Sequence, residues 1–214
     1  MSRLAYLLLF LLVIKRVLAC SQGTSQFLES GSIVAYATCT FKGPSVYGGV
    51  LFRENDTSTE INIIVQGVPV GTHGFHVHEY GDLSLNENDE SCLRTGGHYN
   101  PGSNQHSRPT DSNRHNGDLG NVCVEDSDMM NYTFVDSVIS LTSATSIVGR
   151  SIVIHEDPDD FTGSAGNAGP RIACCTIALS QEWSLDTYKV DHASPLVFNT
   201  MSLILAALIY LSTY

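Results

Sequence analysis

Six of the chain's eight histidines, together with one aspartate, fall into three segments that have to meet in space: His76-Val77-His78, then His98, His106 and His115 with Asp118, then His155. Alternate side chains of a β-strand share one face, so His76 and His78 can offer two imidazole nitrogens to a single ion. Neutral imidazole suits copper, zinc, iron or nickel rather than magnesium or calcium. Taken alone, an H-x-H pair reads as readily as two ordinary strand histidines. The later histidines tip the reading toward a metal half-site that needs further ligands from elsewhere in the chain.

From Gly96 to Asp118 the sequence is crowded with Gly, Pro, Asn and Ser and reads as one long loop. Loops of that length are uncommon unless they have a function or are disordered. His98, His106, His115 and Asp118 give this one a reason to be ordered. Three imidazoles and a carboxylate form a closed tetrahedral set of the kind zinc takes, and binding offsets the entropy of ordering the loop. The competing reading is a polar, solvated loop that happens to carry histidines.

Several segments resemble, in one order, the copper/zinc superoxide dismutases: Gly74-Phe75-His76-Val77-His78-Glu79-Tyr80-Gly81-Asp82, His98-Tyr99-Asn100-Pro101, Gly117-Asp118-Leu119-Gly120-Asn121, His155-Glu156 and Gly166-Asn167-Ala168-Gly169-Pro170-Arg171. The resemblance runs from about Ser32 to about Ser180, and several ordered motifs are far more specific than one. It implies copper ligands at His76, His78, His98 and His155 and zinc ligands at His98, His106, His115 and Asp118. His98 would bridge the two ions as an imidazolate, which requires a cation on each side. It further implies a two-step redox cycle in which Cu(II) takes an electron from one superoxide, releasing dioxygen, and Cu(I) reduces a second, which leaves as hydrogen peroxide. His98 would release copper on reduction and deliver a proton. Arg171 matches the anion-guiding arginine of the family, a permanently charged guanidinium beside the copper.

By the same resemblance, Asp159 links His76 to His106 from behind the ligands, as the second hydrogen bond of a ligating histidine commonly does. Asp157 and Asp160 read as solvated charges, His73 as structural, and His192 stays unassigned. Cys92 and Cys174 match the family's intrasubunit disulfide, and Cys39 with Cys175 resembles an additional pair of the extracellular branch. Cys123 has no evident partner unless Cys20 survives processing, and otherwise reads as a buried free thiol. The segment between His155 and Arg171 is shorter than is usual in the family, carries Asp157, Asp159 and Asp160, and lacks lysine. With a net charge of −11 and screening beyond about 10 Å, this predicts local rather than long-range attraction of the anion and a more open copper.

Residues 1–19 have the organisation of a secretory leader: Arg3, the apolar run Leu4 to Ile14, and a cleavage site after Val17-Leu18-Ala19. Residues 20–31 form an N-terminal extension, 32–183 the catalytic domain, and 184–195 a polar spacer. Residues 196–214 are almost wholly apolar and lack the flanking cytoplasmic charges of a spanning helix. A glycolipid-anchor signal fits better than a retained membrane helix, with Asp191 or Ser194 as candidate attachment residues. Asn55 and Asn131 head glycosylation sequons in expected loops or strand ends. Disulfides and leader together place the protein outside the cell or on its surface, and the family precedent favours a homodimer. The acidic balance argues against nucleic acid.

Short apolar alternating runs at Ser32–Phe41, Gly49–Phe52, Ile61–Gly67, Val135–Leu141, Ser151–His155 and Ile172–Leu179 are separated by turn residues. They predict an all-β sandwich or barrel without internal repeats, and the resemblance makes it a Greek-key barrel with long metal-binding and active-site loops. Two non-catalytic readings compete: a copper-binding or buffering β-domain without turnover, and a surface adhesion domain with vestigial metal sites.

Overall fold

The structure, a computed structural model, describes residues 32–43, 45–84, 92–125 and 129–182. The expected leader, extension, spacer and apolar tail lie outside those residues, as do Cys20, Asp191, His192 and Ser194. No helix among the described residues is long and apolar enough to cross a membrane.

Eight strands form one antiparallel sheet: β1 (Ile33–Lys42), β2 (Tyr47–Asn55), β3 (Thr59–Gln66), β4 (Gly71–His78), β5 (Asp118–Val124), β6 (Met129–Asp136), β7 (Ser151–His155) and β8 (Arg171–Ser180). Their spatial order is β5-β4-β7-β8-β1-β2-β3-β6. The chain crosses between the halves after β3 and again after β6, the Greek-key connection. Strands β5 and β6, neighbours in the chain, occupy the two edges and nearly close the sheet into a barrel. The all-β, Greek-key expectation holds.

Alternation explains the core. In β1, Ala37, Cys39 and Phe41 point inward; in β2, Val50 and Phe52; in β3, Ile61, Ile63 and Val65. Branched and aromatic side chains at every second position make one apolar face, which is what a pleated strand can bury. Strand β8 joins the two halves of the barrel. Its last residues pair with β1 (Cys39 opposite Ile177) and its first with β7 (His155 opposite Arg171).

Two strand expectations need correction. The run Val135–Leu141 does not continue as a strand, because β6 ends at Asp136, whose Oδ1 accepts the amides of Val138 (2.7 Å) and Ile139 (2.9 Å) and turns the chain. Ile139, Leu141 and Ile147 are buried as part of the core from an irregular segment. Strand β5 was not among the expected runs, since its glycine and asparagine read as turn residues.

Three backbone bonds place the long loop over β4. Val77 N donates to Gly117 O (3.0 Å), Tyr99 N donates to Val77 O (2.8 Å), and Gly117 N donates to Tyr99 O (2.9 Å). Val77 lies between His76 and His78, so the lacing carries His98 and Asp118, the neighbours of Tyr99 and Gly117, directly to the histidine pair. Gly117 permits this approach because a Cβ there would collide with the Val77 carbonyl.

Among the described residues Cys39–Cys175 joins the neighbouring strands β1 and β8, and Cys92–Cys174 ties the loop after β4 to β8. Cys123 is disulfide-bonded and only partly buried, which overturns the reading of a buried free thiol.

Candidate metal centre

Strand β4 turns Phe75 and Val77 into the core, which by alternation sends His76 and His78 to the opposite face. The loops cover that face so completely that His76 is 0% and His78 1% exposed. Two four-residue groups result. His76, His78, His98 and His155 bring one ligand atom each to within 4.8 Å of one another, and so do His98, His106, His115 and Asp118. His98 belongs to both.

The second hydrogen bond of each ring shows which nitrogen is left for an ion. His78 Nδ1 donates to Gly96 O (2.9 Å) and His155 Nδ1 to Gly169 O (3.1 Å). Their Nε2 atoms consequently face each other at 3.2 Å. His76 Nε2 donates to Asp159 Oδ2 (2.9 Å), leaving His76 Nδ1 buried without a partner. His98 Nδ1 lies 2.9 Å from Asp118 Oδ1, and His98 Nε2 is likewise buried and unpartnered. A buried imidazole nitrogen without a hydrogen bond is costly unless an ion takes the place, and these orphans point into the first group.

In the second group, three Nδ1 atoms converge on one oxygen. Asp118 Oδ1 is 2.9 Å from His98, 2.9 Å from His106 and 3.1 Å from His115. The His106 contact has the distance but not the direction of a hydrogen bond, and His106 Nδ1 counts as unpartnered. A buried carboxylate ringed by imidazole nitrogens is a donor set that fits a tetrahedral zinc ion. The all-imidazole group fits copper.

Asp159 ties the two groups together. Its Oδ2 takes His76 and its Oδ1 takes His106 Nε2 (3.0 Å). Asn121, which was not singled out from sequence, holds the backbone of Asp159 with two bonds: Asn121 Nδ2 to Asp159 O (2.8 Å) and Asp159 N to Asn121 Oδ1 (2.7 Å). Arg114 was also missed. It is buried, pairs with Asp136, and donates through Nη1 to His115 O (3.0 Å) and Asn116 O (3.2 Å), bracing the strap that carries His115. A lone arginine beside a ligand histidine was the only signal in the sequence.

Burial dominates the titration of the first group. It lowers His76 to about 3, His78 to about 2 and His155 to about 4, so these rings are neutral and ready to bind at neutral pH. In the second group burial opposes charge on His106 too, but the two carboxylates against it, Asp118 and Asp159, win and raise it to about 9. Both carboxyls are held well below the ordinary range against their own burial, Asp118 chiefly by His106 and His98, Asp159 chiefly by His106 and His76.

Arg171 stands at the mouth of the first group. Nη1 donates to Cys92 O (2.6 Å), Leu93 O (3.3 Å) and Thr95 Oγ1 (3.0 Å), and Nη2 donates to Gly96 O (2.6 Å). Its charge is close enough to help depress His78 and His155. Asp157 and Asp160 are exposed, and Asp160 accepts from Thr162 and Asn167. His73 is buried, with its two ring nitrogens at His155 O (2.9 Å) and Pro69 O (2.8 Å). Asn55 ends β2 and accepts the amides of Thr57 and Ser58, whereas Asn131 lies exposed inside β6 rather than at a strand end.

Comparison with known proteins agrees with this geometry. Residues 46–177 match the family described as copper/zinc superoxide dismutase (SODC). Superoxide dismutase [Cu-Zn] 5 of Dictyostelium discoideum is 40% identical over 154 residues, spanning 68% of this chain and 98% of that protein. The crystal structure of the clock protein EA4 superposes with a TM-score of 0.64 at 35% identity, over 72% of this chain and 100% of the other. The resemblance read from the ordered motifs is thereby borne out: the chain belongs to the copper/zinc superoxide dismutase family.

Proposed function

We propose that this chain dismutates superoxide with copper held by His76, His78, His98 and His155 and zinc held by His98, His106, His115 and Asp118. The observation that carries the assignment is His98, which belongs to both groups, directs Nδ1 to Asp118 and leaves Nε2 buried without a partner beside the other histidines. Held there, copper would supply one-electron chemistry for turning superoxide into dioxygen and hydrogen peroxide, and zinc held by His98, His106, His115 and Asp118 would supply a fixed positive charge.

The chain's own residues do the rest. Gly96 O, Gly169 O and Asp159 fix the ring orientations of His78, His155 and His76, so the site needs no rearrangement to bind. Arg171, pinned by four acceptors, presents its remaining donors to a small anion. The family resemblance gives His98 the further role of carrying a proton toward the reacting oxygen. Apart from the buried Asp159, the short segment after His155 adds only exposed acidic groups, so attraction of the anion falls to Arg171 and the ions, within about one Debye length.

The leader-like start, the sequons at Asn55 and Asn131, and the disulfides support an exported protein held at the cell surface by a lipid attached near Asp191 or Ser194. Family precedent supports a homodimer. Purified protein loaded with copper and zinc tests the assignment. Dismutation with about one copper and one zinc per chain supports it, while tight copper binding without turnover replaces it with a metal-buffering role.

A further inference from the structure

Asp159 is held from three directions. Asn121 fixes its backbone, Phe161 N donates to Oδ1 (2.7 Å), and Gly166 lies flat against the carboxylate. Gly166 has φ +70° and is buried. Its own backbone is fixed, N donating to Thr162 O (3.0 Å) and O accepting from Asp160 N (2.8 Å), so the turn cannot easily back away. A Cβ at Gly166 would fall inside the Asp159 carboxylate and 2.7 Å from His106 Nε2, the two ends of one hydrogen bond.

We propose that Gly166 is a positioning residue for the metal pair: its missing side chain is the space in which the Asp159 carboxylate sits, and this keeps Asp159 bonded to His76 and His106 at once. The proposal rests on the reading that these rings hold copper and zinc. A methyl group at 166 would lie 1.8 Å from Oδ1 and 2.4 Å from Cγ, so the whole carboxylate must move; His106 then loses Oδ1 and His76 loses Oδ2, the acceptors that set which of their nitrogens faces the ion. The zinc group suffers first, because His106 has no other acceptor for Nε2 and Asp118 already serves three rings.

Gly163 supplies the control. It lies in the same short segment with φ +64°, but a Cβ there meets nothing within 4 Å. Gly163→Ala and Gly166→Ala therefore carry similar backbone strain, and only the second strikes Asp159. The test compares the two in the metal-loaded full chain, following zinc release to a chromophoric chelator and the visible spectrum of cobalt placed in the zinc site.

Gly166→Ala is expected to release zinc roughly 10-fold or more faster than Gly163→Ala and to change the cobalt bands. Adding Gly166→Ala to Asp159→Ala should have little further effect, since the group it displaces is gone. Asn121→Ala loosens the same carboxylate without adding an atom and should speed zinc release in the same sense. Equal release and unchanged bands in the two glycine variants overturn the role of Gly166 while leaving the metal assignment intact. Wild-type protein that retains no zinc overturns the assignment itself.

Discussion

His78 and Arg171 donate to the same acceptor, Gly96 O, at 2.9 and 2.6 Å. One carbonyl therefore sets both the ring that faces the copper group and the cation at its mouth. Replacing Arg171 by Ala should leave both metals bound, because the remaining bond still orients His78, and should lower kcat/KM about 10-fold or more by removing the local attraction of superoxide. Arg171→Lys should recover only part, since a single ammonium cannot span acceptors spread over Cys92, Leu93, Thr95 and Gly96. Pulse radiolysis with metal analysis checks both. An unchanged rate in Arg171→Ala would remove the arginine from the mechanism.

The Cys92–Cys174 bond fixes the same contact from the other side, because Cys92 O is an acceptor for Arg171. Cys174→Ser should cost about 2–5 kcal/mol of stability and reduce turnover more than it reduces copper content. Cys175→Ser, which opens the bond to Cys39 in the core, should cost stability of the same order with turnover per bound copper preserved. Denaturant melts and activity per copper separate the two.

Metal uptake should release a proton. His106, raised to about 9 by Asp118 and Asp159 against burial, carries one at pH 7.5 in the metal-free protein and must lose it to bind. Calorimetric heats of zinc binding should then vary with the ionisation enthalpy of the buffer, by nearly one proton per zinc. Heats that do not depend on the buffer would contradict this.

The metal-free protein should weaken in acid. His76, His78 and His155 have folded values of about 3, 2 and 4, below the ordinary 6.5, so the unfolded chain takes up protons first as the pH falls. Their contribution is complete above pH 6.5 and drains away as the pH falls toward those values. His106 has the opposite sign, its contribution being complete below 6.5 and lost as the pH rises through about 9. His115, lowered chiefly by burial, adds to the same trend, and below pH 6.5 His106 no longer changes, so the urea midpoint should drop steadily from pH 7 to pH 4.

Arg114→Met should destabilise the protein by about 3–5 kcal/mol, because it strands the Asp136 carboxylate and frees the carbonyls of His115 and Asn116. Adding Asp136→Asn should recover part of the loss. Thermal melts of both variants, with and without zinc, show whether His115 has been loosened as well.

The motifs were legible because metal chemistry limits the residues that can serve: His76 and His78 two apart on a strand, and His98, His106, His115 and Asp118 in a loop too long to be ordered without cause. The alternating runs of β1, β3, β7 and β8 were legible for the same reason that they fold, one apolar face at period two. Strand β5 hid because its ladder bonds come from backbone groups that glycine and asparagine supply as well as valine does. The end of β6 hid because Asp136 stops it through hydrogen bonds to residues further on. Arg114, Asn121 and Gly166 hid because each acts on a partner remote in sequence or through an atom it lacks.

The sequence by itself determined the ligand types, their order along the chain, the strand periodicity and the acidic, cysteine-bearing character of the protein, all of which are local or additive properties. The family resemblance already implied that His98 serves both groups and that Asp159 links His76 to His106; only the tertiary structure decided which nitrogen of each ring is free and that Gly96 O and Gly117 hold the pieces in register. Those depend on groups from β4, the long loop and the segment after β7 meeting within hydrogen-bond distance, and such meetings follow from the nearly closed barrel rather than from any stretch of residues.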